Sequence, residues 1–417
     1  MGKNFNIIPL LHDLLTNDAK SVKEWIELHL KKVRLPVYSS HDIRNSGFKV
    51  APVDANLFPG GFNNLCVNSK KMSSKHFKDY INKYFPTIRK VLILAEEHTR
   101  NKFYLENLHS LNLILEKSGF ETRIGVLKGD FDYKKQLETA DKNEITVYKI
   151  DKKGETVFAG EFIPDLIIDN NDFSEGDPVL LHGILQPIIP SIQLGWFKRK
   201  KSSHLKFYNY LIEEFSLRFS IDKWLLSEFY EHVDGVDFVK KEGFKEVAEK
   251  IDNVISFIKD KYAEYKIKEK PYVFIKNNSG TYGMAVMCAE KSDDFLHMNR
   301  GTRNKMSFGK NKMPVKSLII QEGIPTVDKV EGFVAEPLIY FVGAKPVGGF
   351  FRMNTEKTTK ENLNTRGMFF ESDNLCPMSS DTFGSGVKSN VSVENIKVYE
   401  FIALVSTLAQ GYEIAEV

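Results

Sequence analysis

In PYVFIKNNSGTYGMAVMCAE (271–290) the helical period of the preceding residues gives way to strand, glycine loop, strand. An apolar strand ends on Lys276, and a small flexible turn leads into the next strand. The turn contains Ser279, Gly280, Thr281, Tyr282 and Gly283. Glycines let backbone N–H groups approach a phosphate, the hydroxyls add donors, and Lys276 would supply a point charge for phosphate oxygens. The lysine precedes the glycines and a strand follows, so this is not a Walker loop, where a helix follows. The same residues also describe a plain hairpin turn with a surface lysine, and the local sequence leaves both readings open.

Downstream, KSLIIQEGIPT (316–326) reads as a strand that ends with Gln321 and Glu322 and turns at Gly323, just before Ile324. Such an edge offers backbone groups that could match the polar edge of a nucleobase, or it is simply a strand end. VAEPLIYFVGAKPVGGFFRMN (334–354) reads as a two-stranded hairpin turning at 343–346. Glu336 opens one strand. Arg352 and Asn354 differ by two and share a face of the other. A carboxylate with an amide oxygen is the ligand chemistry Mg²⁺ prefers, and an arginine beside it could stabilise a transferring phosphoryl group. A surface salt bridge would use the same residues. A last helix is expected near 393–409.

Upstream, KVLILAEEH, a helix near 101–118 and ETRIGVL form a strand–helix–strand unit, which argues for a parallel sheet. PDLIIDNND (164–172) is a further buried strand with an Asp/Asn cluster at its carboxyl end, where ligands of open α/β sheets sit. His98 lies at a comparable strand end and suits a structural role at least as well as a chemical one. Residues 173–270 read as mostly helical and 1–35 as two helices. The Gly/Asn/Ser-rich stretch 38–64 has little periodicity and is expected to be a long loop. Its Ser39, Ser40, Asp42, Arg44 and Asn45, then Asp54, Asn56, Asn63 and Asn64, could hold an amino acid, arginine taking a carboxylate and aspartate an ammonium group, or could serve as caps and turns. The segment GWFKRKKSSHLKFYNY (195–210) adds Arg199, His204 and a short basic run.

Lys plus Arg is 58 and Asp plus Glu is 55 in 417 residues, a net charge of +3, which gives no electrostatic case for nucleic acid or an anionic membrane as partner. No apolar run is long enough to span a bilayer, and the first residues lack a signal-peptide core. Cys66, Cys288 and Cys376 fit no zinc template and cannot build a disulfide framework, so a reducing cytoplasm is the expected compartment.

The order of these pieces resembles the ATP-grasp superfamily. More narrowly, it resembles the bacterial glutamate–cysteine ligase family that is distinct from the glutamine-synthetase-related type. The match is carried by VDANLFPGGFNNL (53–65), LAEEHTRN (94–101), GWFKRKKSSHLKF (195–207), FIKNNSGTYGMAVM (274–287) and EPLIYFVGAKPVGGFFRMN (336–354). The resemblance implies an α/β and α+β multidomain chain. Residues 1–89 would hold helices and a substrate loop, 90–215 a parallel α/β domain, and 216–417 the nucleotide-binding region with an antiparallel sheet. It implies ATP and Mg²⁺, ligation of glutamate to cysteine through a γ-glutamyl phosphate as the first step of glutathione synthesis, and a possible homo-oligomer. By the same resemblance Lys276 and Arg352 are catalytic. Lys276, Ser279 to Gly283, Gln321, Glu322 and Ile324 bind the nucleotide, and Glu336 and Asn354 hold the metal. Ser39, Arg44, Asn45, Asp54, Asn56, Arg199 and His204 bind substrate. The family's closing strand with an E-x-N metal pattern has no counterpart in GYEIAEV, after the last helix. A ligase for other amino acids and a non-catalytic nucleotide-binding protein remain as alternatives.

Overall fold

The computed structural model describes residues 5–97, 100–280, 283–377 and 388–417. His98, Thr281 and Tyr282 lie outside these. The chain begins with α1 (Ile7–Asn17) and α2 (Ala19–Leu30). Asn6 caps α1 by accepting the Ile8 N–H, and Ile7, Ile8, Leu11, Val22 and Trp25 bury one stripe of the pair.

The expected loop at 38–64 is instead a buried antiparallel hairpin, β1 (Tyr38–Asn45) and β2 (Val50–Asn56), followed by a short turn. The correction has a clear cause. β1 pairs with a strand almost 300 positions later, Tyr38 opposite Val342 and Asp42 opposite Leu338, and that ladder overrides the turn propensities of Ser, Asp, Asn and Gly. Every residue of β1 is buried.

α3 (Val67–Tyr84) leads into β3 (Lys90–Ala95), α4 (Lys102–Lys117) and β4 (Glu121–Val126), the expected βαβ unit, capped at α4 by Asn101. Next come β5 (Lys134–Glu138), β6 (Glu144–Lys149), the small pair β7 (Asp151–Lys153) and β8 (Thr156–Phe158), then β9 (Leu166–Asn170) and β10 (Ile188–Ile189). The order β10-β9-β3-β4-β6-β5 is parallel except for β5. α3 and α4 cover one face of this sheet and the loops after β6 cover the other.

The 173–270 region is less helical than expected. It holds α5 (Lys201–Phe219), β11 (Tyr230–Asp234) and α6 (Phe244–Glu264). Then follow β12 (Val273–Asn277), β13 (Val286–Ala289), α7 (Ser292–Leu296), α8 (Arg300–Ser307) and β14 (Ser317–Glu322). They build a four-stranded antiparallel sheet, β11-β14-β12-β13, backed by α6. After β15 (Lys329–Val330), the hairpin β16 (Phe333–Val342) and β17 (Lys345–Asn354) forms as predicted, with β18 (Met368–Glu371) on its edge. The second antiparallel sheet therefore runs β18-β17-β16-β1-β2, joining both ends of the chain.

α9 (Val393–Ala415) is longer than expected and packs on the back of that sheet, against α1 and α5. It is buried on nearly all sides, which requires its polar residues to be paired inside.

One sequence expectation fails outright. Cys66, at the start of α3, and Cys376, after β18, form a disulfide with Cα atoms 5.9 Å apart, leaving Cys288 free. Their 310-residue separation hid the pairing, and cysteine usage no longer argues for a reducing compartment. Among the described residues no helix is long and apolar enough to cross a membrane.

Candidate active site

Strand alternation sorts β1 into two faces. Ser39, His41 and Asn45 face α9, where His41 Nε2 meets Ser39 Oγ at 3.0 Å and Thr407 Oγ1 at 2.9 Å, and Asn45 donates to Tyr399 at 2.9 Å. Asp42 and Arg44 face the other way, into a cleft of about 660 Å³. The cleft lies between the two antiparallel sheets. Phe274, Lys276 and Gln321 line it from β12 and β14, Asp54 from β2, and Glu336 and Arg352 from the hairpin; Lys201 begins α5, and Glu228 precedes β11.

At the centre is a buried charge network. Glu336 accepts from Arg44 Nε at 2.9 Å and from Arg352 Nη1 at 2.7 Å, and Arg352 Nη1 also donates to Asp42 Oδ2 at 2.7 Å. Burial works to raise the Glu336 carboxyl, but Arg44 and Arg352 outweigh it and hold the group below the usual carboxylate range. Burial raises Asp42, and Arg352 opposes this only in part. Asp54 pairs with Lys201, and together with Lys276 that lysine pulls the carboxyl down to about 2 against burial.

A bulge at Val53 shapes the floor. Asp42 pairs with Asp54 but Ile43 pairs with Pro52, so Val53 has no ladder partner. Its carbonyl accepts instead from Lys276 Nζ at 3.1 Å and Gln321 Nε2 at 3.5 Å. The glycine loop is anchored at its start. Ser279 Oγ donates to the Arg199 carbonyl at 2.9 Å, and Asn278 donates to Ser202 Oγ at 3.0 Å. Gly283 has φ 64°, and a Cβ there would fall 2.8 Å from the Asn364 carbonyl, so only glycine lets the loop sit on the 362–364 segment.

Among the described residues, three buried polar atoms of the cleft have no protein partner: Asp42 Oδ1, Arg352 Nε and Glu228 Oε1. Each would cost roughly 1–3 kcal/mol if it stayed unmet. A polar ligand that reached these atoms would offset that cost.

The structure thus brings Arg44, Asp54, Lys276, Gly280, Gly283, Gln321, Glu322, Glu336 and Arg352 to one cleft. It places other expected residues elsewhere. Ser39 and Asn45 belong to the α9 interface. The side-chain oxygen of Asn354 accepts from the Glu356 N–H, and its amide donates to Leu363 and Arg366 carbonyls, so Asn354 holds its own loop. Both Glu336 oxygens are taken by arginines. Ile324 is buried and gives its carbonyl to Arg44 at 3.1 Å. The Glu322 carboxylate is fixed by buried Lys49 at 2.8 Å and Trp224 Nε1 at 3.0 Å, which stiffens the turn after β14. Arg199 is held bidentately by Glu413 of α9, at 2.8 and 3.0 Å, and His204 Nδ1 meets the same carboxylate at 2.6 Å. The basic run is consumed internally, with Lys200 on Asp234 and Lys201 on Asp54.

Sequence reasoning names Asp42 in the candidate stretch and Lys201 only within the basic run, and it leaves Glu228 and Glu413 out of the site. Asp42 had a signal: it alternates with Arg44. Glu228 and Glu413 had none.

The cleft sets lysines and arginines beside carboxylates, a lining chemically suited to anionic groups. The chain belongs to the glutamate–cysteine ligase family: that family's model, GshA, matches residues 12–414. It is a ligase, and glutamate–cysteine ligation is the function the family carries. A crystal structure of a protein assigned as γ-glutamylcysteine synthetase from Methylobacillus flagellatus KT superposes with a TM-score of 0.88 at 36% identity, covering 99% of this chain and 97% of that one. D-alanyl-alanine synthetase A from Vibrio cholerae O1 gives a TM-score of only 0.33 at 10% identity, over 78% of this chain and 81% of that one. No curated protein sequence matched.

Proposed function

We propose that the cleft joins glutamate to cysteine in two steps driven by ATP. The observation that carries this reading is the set of three unmet buried polar atoms among the described residues of the cleft, two carboxyl oxygens and one guanidinium N–H, beside Lys276 and Asp54. Lys276 and Arg352 bind phosphate oxygens and take up charge as it develops there. A γ-carboxylate oxygen of glutamate attacks the terminal phosphorus of ATP; that O–P bond forms, the bridging P–O bond breaks, and ADP leaves with the electron pair. The free amine of cysteine then attacks the carbonyl carbon of the acyl phosphate. A C–N bond forms, nitrogen loses a proton, and inorganic phosphate leaves.

The residues present fit Mg²⁺, but not through Glu336 and Asn354, whose polar atoms are engaged. Asp42 Oδ1 is unmet, Asp54 stands opposite it across β1 and β2, and Asn56 follows two residues along. Among the described residues no three His, Cys, Asp or Glu side chains form a ready-made cage, as expected for an ion held by one or two carboxylates plus substrate phosphates. When bound, Mg²⁺ would neutralise charge on the phosphate oxygens. Gly283, set against 362–364, and the anchored start of the loop at 277–280 help keep water from the acyl phosphate. The need for ATP and a reduced thiol favours the cytoplasm as the working compartment.

Glutamate carrying ¹⁸O in its γ-carboxylate tests the order of steps. One labelled oxygen should appear in each phosphate released; unlabelled phosphate would exclude a γ-glutamyl phosphate.

A further inference from the structure

Lys310 opens a short turn, 310–312, in the strap that connects α8 to β14. The strap closes on itself: Phe308 pairs with Pro314, and the Gly309 N–H donates to the Met313 carbonyl at 2.8 Å. The Lys310 ammonium crosses from there to the parallel sheet. It meets Asp172 Oδ1 and Oδ2 at 3.1 and 3.2 Å, and Glu96 Oε2 in a shorter contact. Glu96 follows β3 and Asp172 follows β9, and these strands are neighbours at the point where the strand order turns back. Open α/β sheets leave a crevice at that point, and here a lysine from another part of the chain fills it, its side chain only 9% exposed. Contacts run from both ends of this bridge to the root of the glycine loop. On one side Gly309 lies against Asn277: a Cβ on the glycine would fall 3.1 Å from Asn277 Nδ2, and Asn277 lines the cleft. On the other side the Asp172 carbonyl accepts from the Trp196 N–H at 2.8 Å, the Gly195 carbonyl accepts from the Arg199 N–H at 2.9 Å, and the Arg199 carbonyl accepts from Ser279 Oγ at 2.9 Å. Asn277 and Ser279 then bond each other, at 3.0 and 3.1 Å, which closes a ring.

A buried ion bridge adds little net stability, because desolvation offsets attraction, but it disfavours every arrangement that leaves one of its charges buried alone. In this ring Lys310 is the link that ties the strap to the parallel sheet. We propose that Lys310 is a positioning residue for the ligation: its bridge to Glu96 and Asp172 locks the strap down and so holds the root of the glycine loop in place until cysteine, and not water, takes the glutamyl group. The proposal rests on the acyl-phosphate reading above and adds the residue that keeps ATP consumption coupled to ligation. The reaction it suppresses is hydrolysis. A water oxygen attacks the γ-carbonyl carbon, the C–O bond to phosphate breaks, phosphate leaves with the electron pair, and the water gives up a proton. Glutamate and phosphate return, and ATP is consumed without product.

The test is the ratio of phosphate released to γ-glutamylcysteine formed, measured in the same reactions with ATP, Mg²⁺, glutamate and cysteine, alongside thermal unfolding of each variant. The wild type should release about one phosphate per γ-glutamylcysteine, as a site closed to water does. Lys310→Met keeps the length of the side chain and removes its charge. It should raise the ratio to roughly three or more and lower kcat for ligation about tenfold, with KM for ATP within about threefold, because water gains entry while the nucleotide contacts stay. Lys310→Arg keeps a cation between the two carboxylates and should bring the ratio back to about one. Should Lys310→Met fail to fold, the double variant Lys310→Met, Asp172→Asn removes the excess buried charge and should leak in the same way. A folded methionine variant that stays coupled, however slow, overturns the proposal, and so does an arginine variant that leaks as much as the methionine one. A wild type that releases no phosphate with both amino acids present overturns the acyl-phosphate reading instead.

Discussion

Asp42→Asn lowers turnover roughly 10²- to 10³-fold while the protein stays folded, the loss typical of removing one charged group from a developing phosphoryl centre. The substitution is isosteric. The new amide oxygen can still accept from Arg352, so the link now 2.7 Å long survives. What disappears is the anionic oxygen at Oδ1, which is buried and without a protein partner. If that oxygen binds Mg²⁺, half-saturation should move to higher Mg²⁺, and excess Mg²⁺ should restore part of the rate. The unfolding midpoint should change little, because relieving a buried carboxyl whose proton affinity is already raised by burial removes a penalty as well as an attraction. Turnover within about fivefold of wild type at unchanged Mg²⁺ demand would move the metal away from Asp42.

Glu413→Gln has its largest effect on stability. The carboxylate is 5% exposed and serves Arg199 through two hydrogen bonds and His204 through a third. Breaking a buried pair by removing one partner leaves an uncompensated charge and costs about 3–5 kcal/mol. The loss should also reach the site, since Arg199 Nη1 donates to the Ala55 carbonyl at 3.0 Å, next to Asp54. The pH dependence carries a sign. Burial alone would raise Glu413, but Arg199 and His204 outweigh it and hold the carboxyl at about 2, below its ordinary 4.5. A folded-state value below the unfolded one gives stability that is full above pH 4.5 and lost as the pH falls toward 2. Denaturant midpoints of the wild type should therefore fall across that window, and the Glu413→Gln variant should show a shallower fall. Equal slopes would mean that Glu413 is not ionised in the folded protein.

Much of the fold was written locally. The run Val91–Leu94, the helix that follows and the hairpin at 334–354 each declare themselves by period, because their partners lie close in the chain. Lys276, Gln321, Glu336 and Arg352 were visible for the same reason: each sits at an edge or end of a strong strand. What could not be read depends on partners far away. β1 and β2 are spelled in turn-forming residues and exist because β16 pairs with them. That misreading carried a cost for the site. While 38–64 was a loop, Asp42, Asp54 and Asn56 had no common face, and Ser39 and Asn45 could not be told apart from Asp42 and Arg44. Once β1 is a strand, alternation sends Ser39 and Asn45 to α9 and Asp42 and Arg44 to the cleft. Glu228 and Glu413 carry no sequence pattern; their importance comes from burial against Gln321 and Arg199. The Cys66–Cys376 link is of the same kind.

The most direct test of the central claim is phosphate release by the purified chain with Mg²⁺ and ATP, comparing glutamate alone, cysteine alone, both together, and glutamate with 2-aminobutyrate. Strong turnover is expected only when glutamate and an amine acceptor are both present, with 2-aminobutyrate nearly as good as cysteine because the thiol takes no part in the bond made. Equal release without glutamate, or none with any pair despite ATP binding, would contradict the account.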